Sequence, residues 1–347
     1  MEIYIFIFFV LLVLSVLNPK SDVPYVAILI FLVCLSGFRD VEVGVDTHTY
    51  LSMYSWISNG ENVDHVEPGW RLFNRVVYLI GGSFLTLLTI TSFLTLLPVF
   101  FVAKKTSPYI YLSIFVFYGI HLYCGAFNIM RQYFAISITL LAIYYYIKEK
   151  KIVALCIWLC ACLIHFSCFL AILILLFNRI NITFPRTIVF IIVAYLFGTI
   201  VNQELIDLIT FSEYTHIASA RNDIVLAGIF TALLDAFMLF VIYTSPQELL
   251  NSQWGKYFVL SILIFTATFS LHYSARIYSL FAISQIIYFP LYVKYSTIKY
   301  KFLAFGIVFI FVSAQFLRLL LTNANRIIPY ELNYKDLQYT FLNYFLI

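Results

Sequence analysis

The residues best suited to chemistry are arginines, a few carboxylates and a histidine set at the edges of apolar runs. Arg131 stands in Phe127-Asn128-Ile129-Met130-Arg131-Gln132, between two such runs. A guanidinium at a membrane edge costs a few kcal/mol unless it snorkels or pairs. Its planar fork of donors fits phosphate and carboxylate oxygens, so we read Arg131 as an anion clamp. His165 interrupts the apolar run Ile152 to Phe177, and Leu271-His272-Tyr273-Ser274-Ala275-Arg276 puts a second histidine and arginine at the end of another run. Between residues 37 and 71 the chain carries Arg39, Asp46, Glu67 and Arg71 among Tyr50, Tyr54 and Trp70. That mixture suits a sugar: acidic groups accept from hydroxyls, and aromatic faces cover the rings. Asp46 or Glu67 could also take a proton from an acceptor hydroxyl if burial raises its pKa. Plainer roles compete with each of these. Asp46 can cap a helix that starts at Thr47, Arg131 and Arg318 can end helices among lipid headgroups, and a lone histidine is usually a satisfied structural residue.

The elements that must position these groups are membrane helices. Of 347 residues, 63% are hydrophobic, 19% aromatic and only 11% charged, and mean hydropathy is +0.95. Runs of about 20 apolar residues recur along the whole chain, which excludes an ordinary soluble domain. They are continuous, without the alternating segments of a membrane β-barrel. We expect an all-α polytopic integral membrane protein. Its transmembrane or re-entrant helices number about 12: near 2–17, 23–37, 83–103, 108–126, 132–147, 152–164, 166–178, 187–201, 224–244, 257–271, 277–293 and 302–321. The chain is expected to be a single membrane domain, 1–347, with outer loops at 38–82 and 202–223 and an uncleaved first span. A net charge of +4 without a basic aromatic-laced run gives no reason to expect nucleic acid. No phosphate-cradling glycine loop or metal motif appears, and Cys160, Cys162, His165 and Cys168 are explained by packing, so neither cofactor nor metal is expected.

Which way up the helices run follows from the lysines. Lys20, Lys104, Lys105, Lys148, Lys150, Lys151, Lys256, Lys294, Lys299 and Lys301 all fall inside if the chain reverses at His165. A single long helix over 152–177 would throw the last three outside. With the reversal, Arg39, Arg71, Arg75, Arg131, Arg221, Arg276, Arg318 and Arg326 collect at the outer face, leaving Arg179 and Arg186 inside and Lys335 alone among the lysines outside. Insertion bias draws both kinds of cation inward, so outward arginines ask for a reason, and a dianionic ligand at the outer leaflet supplies one. Asp235, mid-span in 224–244, is an intramembrane carboxylate of the kind ion coupling would need.

The ordered set Gly37-Phe38-Arg39-Asp40, Gly44-Val45-Asp46-Thr47 with Tyr50, Glu67-Pro68-Gly69, Met130-Arg131-Gln132 with Ala135, a lysine-rich loop and Ile164-His165-Phe166-Ser167 resembles the EpsG-like, Wzy-type polysaccharide polymerases of bacterial inner membranes. The resemblance covers roughly residues 35–170, with Arg276, Tyr278 and Pro329-Tyr330 extending it. It implies a glycosyltransferase that joins undecaprenyl-diphosphate-linked repeat units into O-antigen or a related surface glycan, at the periplasmic face and with no nucleotide sugar. The implied partners are that lipid-linked glycan, membrane lipid and a chain-length regulator protein. On this footing Arg131, Arg276, Arg39 and Arg318 are expected to bind the diphosphate. Asp46, Glu67 and His165 are the catalytic candidates, unranked, and Tyr50, Gln132, His272 and Tyr278 are expected to bind substrate. A lipid-linked oligosaccharide flippase or exporter and an O-antigen ligase are the alternatives.

Overall fold

The structure is a computed structural model describing residues 1–61, 63–64, 66–200, 217–271, 273–323 and 325–333, with 217–226 as backbone only. It is all-α: the sole bridge between extended segments among the described residues joins Arg39 to Leu332. The described residues form two compact units, Met1–Phe169 with Ile307–Ile347, and Leu170–Gly306.

The first unit contains α1 (Glu2–Leu17), α2 (Val23–Gly37), α3 (Thr47–Ser58), α4 (Pro68–Leu79), α5 (Phe84–Thr106), α6 (Ile110–Gly119), α7 (Leu122–Asn128), α8 (Met130–Ile147) and α9 (Lys151–Ile164). The end of α17 (Lys301–Thr322) completes it. α5 begins with a reciprocal cap, in which Ser83 Oγ accepts the Thr86 N–H and Thr86 Oγ1 accepts the Ser83 N–H. It ends on Lys104 and Lys105, which complement the negative end of the helix dipole. Phe8 of α1 stacks on Phe316 of α17 at 4.4 Å between centroids.

The two ends of this unit differ in their cations. Lys104 Nζ meets Asp22 Oδ2 at 2.7 Å, Tyr111 donates to the Ser21 carbonyl, and Phe101 packs on Tyr144 near the end of α8. The loops bearing Lys20, Lys104 and Lys148 to Lys151 therefore share one end. α8 carries the chain about 27 Å from there to Arg131. At that other end, the Asp40 N–H donates to the Glu331 carbonyl and the Gly44 N–H to the Arg326 carbonyl. Tyr4 and Tyr330 add hydrogen bonds from their hydroxyls to the carbonyls of Ile327 and Leu35. The segment 326–333 is thus tied to the loop that follows α2, the end that holds Arg39 and Arg131.

The second unit contains α10 (Ile172–Phe177), α11 (Phe184–Ile200), α12 (Ile217–Tyr243), α13 (Gln247–Asn251), α14 (Gln253–Thr268), α15 (Ser274–Ala282) and α16 (Gln285–Tyr295). Its lysines also share one end, here together with two arginines. Lys256 donates to the Asn178 carbonyl, the Ile182 N–H donates to Asn251, and the Thr297 N–H donates to the Thr244 carbonyl. Lys256, Lys294 and Lys299 so lie with Arg179 and Arg186 at one end, and α14 leads from there to Arg276 at the other. In the membrane interior of this unit, Asp235 Oδ1 accepts the Thr266 hydroxyl at 2.8 Å, while Oδ2 is buried without a partner.

The apolar helices stand where the hydropathy puts them, but few are single full spans. Among the described residues only α5 and α17 have the length and composition to cross a bilayer alone, with up to four crossings if each bent pair counts as one. The runs expected as single spans at 108–126 and 277–293 are bent pairs, α6 with α7 at 46° and α15 with α16 at 48°. His121, in the left-handed region at φ 73°, makes the first break. At 14 to 17 residues, α1, α2, α9 and α11 fall short of the roughly 20 needed for an untilted span. The chain does reverse at His165. Trp158 Nε1 donates to the Cys168 carbonyl at 2.8 Å, although ten residues of unbroken helix would separate them by about 15 Å along the axis.

Candidate functional site

Glu67-Pro68-Gly69 starts α4, and each residue has a task. Proline suits the first helical position, where its missing N–H leaves no bond unmade. Gly69 lies so close to the end of α9 that a Cβ there would sit 2.7 Å from the Leu163 carbonyl oxygen. Only glycine lets α4 approach α9 this closely, and the approach brings Glu67 beside His165. The histidine caps α9 in extended geometry, φ −152° and ψ 119°, because the chain is turning there.

Arg131 is the second residue of α8. Its Nη1 donates to Glu67 Oε2 at 2.5 Å, and Glu67 Oε1 stands 3.8 Å from His165 Nδ1. One carboxylate therefore lies between a guanidinium and an imidazole. The side chains of Glu67, Arg131 and His165 are 9%, 19% and 22% exposed, so the charges interact with little screening. Arg131 Nε is buried without a partner. Nδ1 of His165 accepts the Ser167 N–H at 3.2 Å, which in the neutral ring leaves the proton on Nε2. At 3.8 Å the Glu67 contact is too long for a hydrogen bond.

Tyr50 of α3 accepts the Arg131 backbone N–H at 3.5 Å, and its ring meets the edge of fully buried Trp70. Burial raises the Tyr50 phenol pKa against the pull of Arg131, so it is neutral at ordinary pH. Asp46 lies one helical turn before Tyr50, and its backbone N–H donates to Asn128 Oδ1 at 2.9 Å. Its carboxylate makes no capping bond, although a cap was the plainer expectation. Gly44, at φ +102°, lies close under the Phe127 carbonyl, where both the sign of φ and the space exclude a side chain. Gln132, the neighbour of Arg131, is buried.

Arg39 sits in a different setting from Arg131. It is 1% exposed, donates through Nη1 to the Ser36 carbonyl and through Nη2 to the Phe127 carbonyl at 3.2 Å, and lies over the Phe127 ring at 5.0 Å. Burial pulls its pKa down to about 10, against the opposing fields of Tyr123 and Tyr4, so it remains charged. With two carbonyls and a ring around it, Arg39 braces the break between α7 and α8 that aims Arg131.

Other expected site residues stand elsewhere. Arg318 is exposed on α17, one turn from Gln315, which pairs with His121 at 3.2 Å. In the second unit Arg276 is exposed and lies over the Tyr273 ring, while the Tyr278 hydroxyl accepts from Gln285 Nε2 at 2.7 Å. His272 and most of the loop 202–223 lie outside the described residues, as does Lys335. An open cleft of about 360 Å³ between α3 and α4, lined by Ile57, Glu61, Arg71 and Arg75 among others, does not include the Glu67 pair. Asn128 and His121 were not anticipated. Asn128 had a signal, as a polar residue near Arg131; His121 is a single residue in apolar surroundings. Trp70, expected among the ring-covering aromatics, is instead fully buried behind Tyr50.

Apolar helices around a buried cluster of guanidinium, carboxylate and imidazole define a helical membrane protein with a charged site at one end of its first unit. The chain belongs to the EpsG family, whose model matches residues 22–332. No curated protein and no solved structure matches it.

Proposed function

We propose that this protein is a membrane glycosyltransferase that polymerises undecaprenyl-diphosphate-linked repeat units into O-antigen or a related surface polysaccharide, at the periplasmic face of the bacterial inner membrane. The observation that carries this is the cluster of Arg131, Glu67 and His165 at the arginine-rich end of the first unit. A lipid diphosphate leaves with its negative charge increased, and a fixed guanidinium in a poorly solvated site stabilises that charge without reorganisation. The acceptor sugar hydroxyl must lose a proton as it attacks the anomeric carbon, and a histidine backed by a carboxylate is suited to take it. In this reading Arg131 holds the diphosphate, with the exposed Arg318 as a further contact for the lipid-linked substrate. His165 and Glu67 serve as the base couple, and Tyr50 and Asp46 face the sugar. Arg39 acts through the Phe127 carbonyl. The chain is one membrane domain in this proposal, its other apolar helices crossing or re-entering the bilayer, and a chain-length regulator is its partner.

A transport role has one observation in its favour, the buried carboxylate of Asp235. Glycan banding in cells lacking the gene separates the proposals. Core bearing a single repeat supports polymerisation, loss of all repeats indicates a flippase or ligase, and a normal ladder removes all three. In complemented cells Arg131→Ala is expected to abolish long chains, a loss far greater than any fall in the amount of protein, while leaving the single-repeat product.

A further inference from the structure

The salt bridge that makes Arg131 visible also opposes its use as a clamp. One of its five N–H donors goes to the Glu67 carboxylate at 2.5 Å, and that buried negative charge repels a diphosphate approaching the same guanidinium for as long as it stays. Among the ion pairs of the described residues the carboxylate has one other partner, His165, 3.8 Å from its second oxygen. The imidazole in turn has Nδ1 committed to the Ser167 N–H, the wrong arrangement for a base whose carboxylate partner stands on the Nδ1 side. These facts fit together if Glu67 has two positions.

Resting on the glycosyltransferase reading above, we propose that Glu67 is a resident counter-ion which the substrate's diphosphate displaces from Arg131, and that the displaced carboxylate completes the base by moving onto His165 Nδ1. The movement needed is small, since closing 3.8 Å to a hydrogen-bond length of about 2.8 Å takes roughly 1 Å. The diphosphate supplies the charge that Arg131 loses, so the guanidinium is never left buried and unpaired, a state that is strongly unfavourable. On the other side, a carboxylate at Nδ1 favours the tautomer that carries its proton there, which releases the Ser167 N–H and turns the Nε2 lone pair into a proton acceptor.

The chemical step then balances. The acceptor hydroxyl gives its proton to Nε2 as its oxygen bonds to the anomeric carbon of the donor chain. The bond from that carbon to the diphosphate oxygen breaks, and its electron pair leaves on the diphosphate held by Arg131. The imidazolium lies against Glu67 until the proton passes to water. Binding of the leaving group thus assembles the base, so a deprotonating site forms only when a donor is present.

The test uses the full-length protein in phosphatidylcholine nanodiscs and inorganic pyrophosphate as the probe. Glu67→Gln removes the competing charge and is expected to bind pyrophosphate about tenfold more tightly than the wild type. The same variant is expected to lose polymerisation by on the order of a hundredfold, because an amide cannot support the imidazolium. In the wild type, nitrogen-15 histidine spectra, with His165→Asn as the subtraction, should show the ring proton moving from Nε2 to Nδ1 as pyrophosphate saturates; this needs no variant of Glu67 to fold. Equal or weaker pyrophosphate binding by Glu67→Gln overturns the exchange, as does an Nε2 proton that stays in place at saturation. Either result leaves polymerisation itself standing if the glycan ladder still depends on the gene. Tighter binding and a moving proton beside a normal ladder in cells lacking the gene would instead uphold the exchange and remove the polymerase reading.

Discussion

Gly69→Ala tests the geometry of the site at its narrowest point. The added methyl would stand 2.7 Å from the Leu163 carbonyl oxygen, 2.8 Å from its carbonyl carbon and 3.0 Å from its Cβ. These are mostly backbone atoms at the end of a helix, so no side chain can swing aside. To reach an ordinary contact of 3.4 Å, α4 and α9 must part by about 0.7 Å, and an overpacked contact of this kind costs about 1–3 kcal/mol. The separation falls on the helix start that bears Glu67 and the helix end that bears His165. Their 3.8 Å gap is expected to widen beyond 4 Å, while the Arg131 bond, on the flexible end of a long side chain, follows the carboxylate. The thermal midpoint of the purified protein should fall by several degrees, and long-chain glycan should fall more steeply than the amount of protein in the membrane. Gly306→Ala, at a helical site where nothing lies within 4 Å of the new methyl, is the control for the substitution itself. If Gly69→Ala melts with the wild type and makes a full ladder, the close approach of α4 to α9 is not what places Glu67, and the reasoning fails.

Three further outcomes are expected. Arg131→Met leaves the Glu67 carboxylate buried without its cation and should destabilise the protein by about 3 kcal/mol, of which a second change, Glu67→Gln, restores more than half in a melting-based double-mutant cycle; additive losses would mean that the two groups do not interact. Gly44→Ala forces a side chain into φ +102° beneath the Phe127 carbonyl and should lower stability by about 2 kcal/mol while reducing polymerisation, read from the melting midpoint and the glycan ladder. Asp235→Asn keeps the acceptor for Thr266 and should leave both the ladder and the melting midpoint near wild type, whereas loss of all surface repeats would favour the transport role.

The helices were legible in the sequence because hydropathy is a local property, and the expected spans at 2–17 and 23–37 coincide with α1 and α2. The break at His165 was legible for another reason, since the lysine pattern along the chain asked for a turn within the apolar run 152–177, and α9 does end there. Other breaks inside apolar runs were not. His121 at φ 73° and the bend between α15 and α16 leave the mean hydropathy of their runs unchanged, so no window along the chain detects them. The site was half legible. Arg131 stood out as a cation between two spans and Glu67 as a carboxylate in a loop, but 64 residues separate them and nothing local says that they meet. Arg39 looked like Arg131 by the same criterion, an arginine at the end of an apolar run. Its burial under the Phe127 ring depends on a fold that closes 88 residues later.

The segregation of cations and the pairing of Arg131 bear on each other. In the first unit lysines gather at one end and arginines at the other, so the arginine end carries a field attractive to anions. Cation density alone would suit any anion, including the headgroups of the surrounding lipid. Within the first unit only one of these arginines has a buried carboxylate as partner, among the ion pairs described there: Arg71 pairs with an exposed Asp64, and Arg131 with the buried Glu67. A resident carboxylate at that one position raises the threshold for occupancy. A single phosphate of a bulk lipid gains little by replacing it, whereas a diphosphate brings a second charge and a second set of oxygens to the same guanidinium. Selection between the abundant headgroup and the rare lipid-linked donor would then lie in the strength of the Glu67 pair, and weakening that pair should make Arg131 less discriminating before it makes it inactive.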